Sequence, residues 1–297
     1  MMAGRIICLF IVLFFTTISV FSKVTIIETF RGWNNCVEIS NSDVRVIISP
    51  QSGGRVLHYS LYGKNILFED SNFDGYMLDD FRKDRHWPDG ARFDIGPETI
   101  PGKLRDEPFM GEWDCKVIDE YSVELIYASD NMLGLHLKRC FRLDESSAKL
   151  YINQVSKNYS DEDISRHFWG RYFCKGGGQV VLPLKGNESW GYMGNYKSDS
   201  KVTYDEGKLY YDVSDETVKI GCNSSAGWIS YIYDSLKFNV TFKVIPEMDY
   251  TSTQGYTTIF YTNGQVCEIE PVSPLYKLSP GESFVFEQVW NLEKMEE

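Results

Sequence analysis

The chain has 297 residues, 42 acidic and 30 basic, for a formal net charge of −12 at pH 7. Spread along the chain instead of gathered in a tail, that charge argues against nucleic acid and anionic membrane surfaces as partners and suits a neutral sugar or a cationic ligand. Aromatic residues make up 15% of the chain, which favours pleated, half-buried surfaces.

Met1-Met-Ala-Gly-Arg5 precedes an apolar stretch over residues 6–15 and a small residue at Ser22, the pattern of a secretory signal peptide cleaved near that serine. The stretch is short for a membrane span, and no later segment is long and uncharged enough to be one. Residues 1–22 are therefore expected to be a leader and residues 23–297 one soluble domain, periplasmic or secreted, without membrane contact after cleavage. No Pro/Ser/Gly-rich linker divides the remainder. Cys36, Cys115, Cys140, Cys174, Cys222 and Cys267 are widely spaced with no CxxC, so zero to two disulfides are expected.

Residues 44–68 read as two strands hinged on Gly53-Gly54 and closed by a turn at Gly63-Lys64-Asn65. Alternating Val and Ile fit half-buried strands, and paired glycines free the backbone where strands bend. Residues 70–111 are rich in charge, Gly and Pro and too polar for a core; an irregular segment lining a site is expected there. Strand-like runs follow at 115–118, 122–127, 133–143, 149–155, 179–183, 208–213, 217–222, 228–233, 236–244, 256–261, 265–270 and 283–291. That spacing, with almost no helical period, predicts an all-β antiparallel sandwich with little helix.

Three segments together resemble the galactose mutarotase-like (aldose 1-epimerase) proteins: the turn Pro50-Gln-Ser-Gly-Gly54 with its following G-x-N, the run Ile164-Ser-Arg-His-Phe-Trp-Gly-Arg-Tyr-Phe173, and Val266-Cys-Glu-Ile-Glu-Pro-Val-Ser-Pro274 followed by Leu278-Ser-Pro-Gly-Glu282. The resemblance covers most of residues 30–292 by element order and implies a β-supersandwich acting on sugars. In that family a histidine in an H-x-[YF]-[FW]-N-L segment protonates the ring oxygen, and a glutamate at a strand end takes the anomeric proton. His167 holds the first place, and Glu270, with Glu268 as competitor, the second. Acid and base on opposite sides of the sugar let the ring open, rotate and close on either face. Glu268 and Glu270 share one side of a strand by the period of two, although either can equally be a solvated outer-face charge. Gly170-Arg171 departs from the family's Asn-Leu, and a histidine among aromatics is commonly structural. Active members carry a further histidine before a glycine; His86 lies at a suitable distance but precedes Trp87.

The segment Asp84-Arg-His-Trp-Pro-Asp-Gly-Ala-Arg-Phe-Asp-Ile-Gly-Pro-Glu98 resembles a less studied exported branch of the superfamily. It offers Arg92 for sugar hydroxyls or a uronate, Trp87 as a stacking platform and Glu98 as a third carboxylate. Arg92 can as well pair with Asp89 or Asp94. Trp169 and Trp190 are further candidate platforms. Asp70, Asn72 and Asp74 with Gly75 match the first positions of a calcium loop, yet Phe81 stands at the twelfth and the same residues serve turns. No other cofactor is indicated; Lys175-Gly-Gly-Gly178 lacks the P-loop ending. Three activities remain open, since fold does not fix chemistry: an exported epimerase-like enzyme on a sugar or glycan, a non-catalytic carbohydrate-binding module, or a polysaccharide hydrolase or lyase using Glu98 or Glu270. The first requires His167 and Glu270 to converge on one pocket.

Overall fold

The computed structural model describes residues 24–86, 89–129, 133–196 and 202–296; the expected leader and Trp87 lie outside them. Two large antiparallel sheets pack face to face, one of twelve strands and one of ten. Along the first run Thr25–Phe30, Trp33–Ser40, Val44–Ser49, Arg55–Leu61, Ala91–Gly96, Ile164–Lys175, Val266–Pro271, Thr258–Thr262, Val218–Cys222 and Trp190–Tyr192, with Lys64–Asn65 paired to Arg55–Leu61 and Tyr276–Leu278 to Ile164–Lys175 off this path. Along the second run Val202–Asp205, Lys208–Asp212, Gln179–Pro183, Trp228–Tyr233, Leu236–Phe242, Ser283–Lys294, Leu150–Asn158, Leu135–Leu143, Ser122–Tyr127 and Asp114–Asp119. Every expected strand is present, and the protein is an all-β sandwich.

Alternation builds the interior. Phe93, Tyr172 and Ile269 of the first sheet and Phe141, Phe238 and Trp290 of the second belong to one continuous core. Phe93 stacks on Trp290 at 5.8 Å, and the Tyr172 hydroxyl donates to Gln288 across the two sheets. Burial of this apolar area is the main force holding the layers together.

Residues 70–111 differ from expectation. Ala91–Gly96 within them is a buried central strand, and the helices Leu78–Asp84 and Gly102–Met110 flank it. Ala91, Phe93 and Ile95 enter the core, while Arg92 and Asp94 face the other way and pair at 3.2 Å. Mutual neutralisation lets two charges sit in a strand that reads as loop.

The Gly53-Gly54 hinge has a steric cause. Both glycines have positive φ (72° and 58°), and a Cβ on Gly53 would stand 1.8 Å from the Phe109 carbonyl oxygen. The six cysteines among the described residues are free thiols. No helix among the described residues is long and apolar enough to cross a membrane.

Candidate functional site

The outer face of the first sheet carries the chemistry. Because Phe168, Tyr172 and Cys174 point into the core, their neighbours His167, Trp169, Arg171 and Phe173 point outward. By the same alternation Cys267 and Ile269 turn Glu268 and Glu270 outward, and Val218 and Ile220 turn Lys219 outward.

Strand register then assembles a row. Phe173 pairs with Glu268, Glu268 with Tyr261, and Tyr261 with Lys219, while the Met193 amide donates to the Lys219 carbonyl. A pocket of about 470 Å³ opens above this row, lined among others by Glu98, Arg171, Lys219, Tyr261 and Glu268. Two grooves of about 520 Å³ lie on the outer face of the other sheet. The smaller pocket gathers Glu98, Glu268, Arg171 and Lys219 around one opening, so the chemistry points to it.

Glu268 and Glu270 face the same side, and Glu268 is the one on the pocket wall. Its Oε2 accepts from Arg171 Nε at 2.9 Å. Glu270 lies behind it, fully buried, accepting from Trp169 Nε1 at 2.8 Å, with Lys219 Nζ 3.7 Å from the same oxygen. Its other oxygen, Oε1, has no hydrogen-bond partner. Burial pushes the Glu270 carboxyl up to about 7, with Glu268 adding to the rise and Lys219, Arg171 and the indole opposing it. Arg171 is held charged: burial works against it, but Glu268, Glu270, Asp94 and Glu98 raise its pKa.

His167 does not reach the pocket. Tyr172 pairs with Ile269 and Trp169 with Val272, so Glu270 falls opposite Arg171 and His167 lies about 13 Å farther along the strand. Its imidazole is sealed against the opposite glycine, where a Cβ on Gly96 would meet Nε2 at 1.9 Å. Burial pushes its pKa down to about 4. The convergence of His167 and Glu270 that an acid/base pair requires is therefore absent, because four residues of register and the Trp169 ring separate them.

Other expected contacts are redirected. Trp169 is 4% exposed, with Lys219 Nζ 4.9 Å and the Arg171 guanidinium 5.5 Å from its ring centre, so it braces Glu270 instead of offering a face to a sugar. Trp190 packs against the core. Arg92 is buried, paired with Asp94 and set 5.2 Å over the Phe173 ring, outside the pocket lining. His86 is exposed, away from the lining, beside Asp84. Glu98 stands on the pocket rim with Glu268. Trp87 falls outside the described residues.

The calcium reading of Asp70, Asn72 and Asp74 does not fit. Asp70 caps a 3₁₀ turn by accepting from the Asn72 amide, and the Arg31 guanidinium contacts Asp74 and Asp89, both at 2.6 Å, and the Asp70 carbonyl at 2.8 Å. An arginine thus occupies the place a cation would take. Among the described residues no group of three or more His, Cys, Asp or Glu could hold a metal.

Lys219, Tyr261 and Arg171 are the site residues that sequence reasoning missed. Lys219 and Arg171 left one trace: each is a cation alternating with buried neighbours inside a strand, where a charge needs a partner.

No family model and no curated protein matches the sequence. Solved structures do match in fold. A candidate aldose 1-epimerase from Escherichia coli K12 superposes with a TM-score of 0.62 at 13% identity, over 88% of this chain and 99% of that one. A galactose mutarotase-like protein from Lactobacillus casei gives 0.60 at 9%, over 87% and 100%. One from Clostridium acetobutylicum gives 0.58 at 11%, over 92% and 99%. The chain has the galactose mutarotase-like fold.

Proposed function

We propose that the protein is an exported, carbohydrate-active protein that performs acid–base chemistry at the anomeric centre of a sugar bound above the Glu268–Tyr261–Lys219 row. The export rests on the leader-like residues 1–22. The observation that carries the chemistry is the carboxylate pair on one strand: Glu268 in the pocket wall, with Glu270 behind it at a pKa near neutrality. Glu268 takes the anomeric hydroxyl proton, the bond from C1 to the ring oxygen breaks as that oxygen is protonated, and rotation about C1–C2 allows closure on the other face. Arg171 and Tyr261 hold hydroxyls in place. The fold's mutarotase-like neighbours point in the same direction.

NMR anomer exchange on freshly dissolved aldoses and uronic acids tests this. Wild-type protein is expected to accelerate exchange, and Glu268→Gln to lower the rate by about 100-fold or more. A second reading has its own support: Glu268 and Glu270 each already sit in an ion pair, as suits a binder without turnover. Saturation transfer from bound sugar without any acceleration selects that reading.

A further inference from the structure

We infer that Lys219 is the proton donor to the sugar ring oxygen, working in the same pocket as Glu268. This rests on the anomeric acid–base reading above and names the acid that His167 cannot be. Lys219 and Glu268 lie on strands separated by one other, Thr258–Thr262, so their backbones stand about 9–10 Å apart. The Tyr261 side chain rises between them. The Lys219 side chain reaches across that strand to Glu270, two residues from Glu268, so both groups face one bound sugar, whose anomeric and ring oxygens share C1.

The surroundings hold Lys219 in this post. Its side chain is 13% exposed, Nζ lies 4.9 Å from the Trp169 ring centre, and Glu270 Oε2 is 3.7 Å away. The carboxylate and the indole fix the position of Nζ before the sugar arrives. The remaining polar groups of the lining are worse acids or wrongly placed. Arg171 does not give up its proton in proteins, and Nε is committed to Glu268. The Glu98 carboxylate stands on the rim, exposed. Tyr196 is turned to the Tyr261 ring, the two centres 5.8 Å apart. Tyr261 itself stands in the middle of the row, where it reaches a hydroxyl from beneath.

The step balances without a co-reactant. The anomeric O–H proton passes to Glu268 and its electrons form the C1 carbonyl. The bond from C1 to the ring oxygen breaks, its pair stays on that oxygen, and the Lys219 ammonium supplies the proton, leaving a neutral amine. After rotation the amine takes the proton back, the oxygen attacks the other face of C1, and Glu268 returns its proton to the carbonyl oxygen.

The test is anomer exchange by NMR with the full chain and its Lys219→Arg, Lys219→Ala and His167→Gln variants, alongside saturation-transfer binding of the same sugar. Lys219→Arg keeps the positive charge beside Glu270 but cannot donate, so a loss of about 100-fold or more with binding retained is expected. Added methylammonium should restore Lys219→Ala by about tenfold or more, a rescue that a purely structural lysine would not show. His167→Gln should stay within about fivefold of wild type. Lys219→Arg within about threefold of wild type, or a collapse confined to His167→Gln, overturns the assignment of Lys219 while leaving anomeric chemistry standing. A wild-type protein that accelerates no sugar in the panel overturns the anomeric reading itself, and Lys219 as acid with it.

Discussion

Glu270 and His167 are titratable groups buried on the outer face of one sheet, and burial moves their pKa values in opposite directions. An unfolded imidazole takes its proton near 6.5 and the folded His167 only near 4, so acidification through that window destabilises the fold. An unfolded Glu270 loses its proton near 4.5 and the folded one near 7, so its contribution is full below 4.5 and is lost as pH rises through 7. Each shift corresponds to about 3 kcal/mol. Between 4.5 and 6.5 the two slopes nearly cancel. Urea unfolding from pH 4 to 8 should show this: Glu270→Gln leaves stability rising from pH 4 to 6.5, and His167→Gln leaves it falling from 4.5 to 7. Parallel profiles for the two variants would contradict the assigned shifts. The side on which Glu268 and Glu270 lie was legible from the period of two. Which of them opens to solvent was not, because that depends on Trp169 and Lys219, which cover Glu270 from other strands.

One buried arginine joins the two sheets. Arg139, on the Leu135–Leu143 strand of the second sheet, donates to the carbonyls of Gly53 and Gly54 at 3.1 and 2.9 Å and lies 4.2 Å from the Phe93 ring centre and 4.5 Å from that of Trp113. Burial lowers its pKa to about 9, with no carboxylate within ion-pair distance among the described contacts. Cation–π contacts and backbone carbonyls stabilise it instead. Arg139→Met leaves those carbonyls short of a donor and should cost about 2–4 kcal/mol in chemical denaturation. A loss below about 0.5 kcal/mol would show that the hinge stands without it. The Gly-Gly hinge announced itself in the sequence because φ above zero and a backbone carbonyl at contact leave no room for a Cβ. Ala91–Gly96 did not, because its outward Arg92 and Asp94 neutralise each other only once folded.

The six cysteines after residue 22 bear on the molecule as a whole. Cys174 and Cys267 pair directly across neighbouring strands, yet both are free thiols deep in the interior, and burial pushes both pKa values upward. Protein of residues 23–297 prepared without reductant should therefore release six titratable thiols on unfolding in denaturant, and the buried ones should react slowly in the native state. Fewer than six would mean that oxidation bridges strands after folding. Alternation of apolar and polar residues with turns at short intervals determined the sheets, since a strand half-buried in a sandwich can be written in no other way. The same alternation decided which face Glu268, Glu270 and His167 occupy. Only the tertiary structure decided the site. Glu268, Tyr261 and Lys219 become neighbours through the register of three strands, and four residues of register carry His167 out of reach. Register across strands distant in sequence depends on how whole sheets pack, and no local pattern records it.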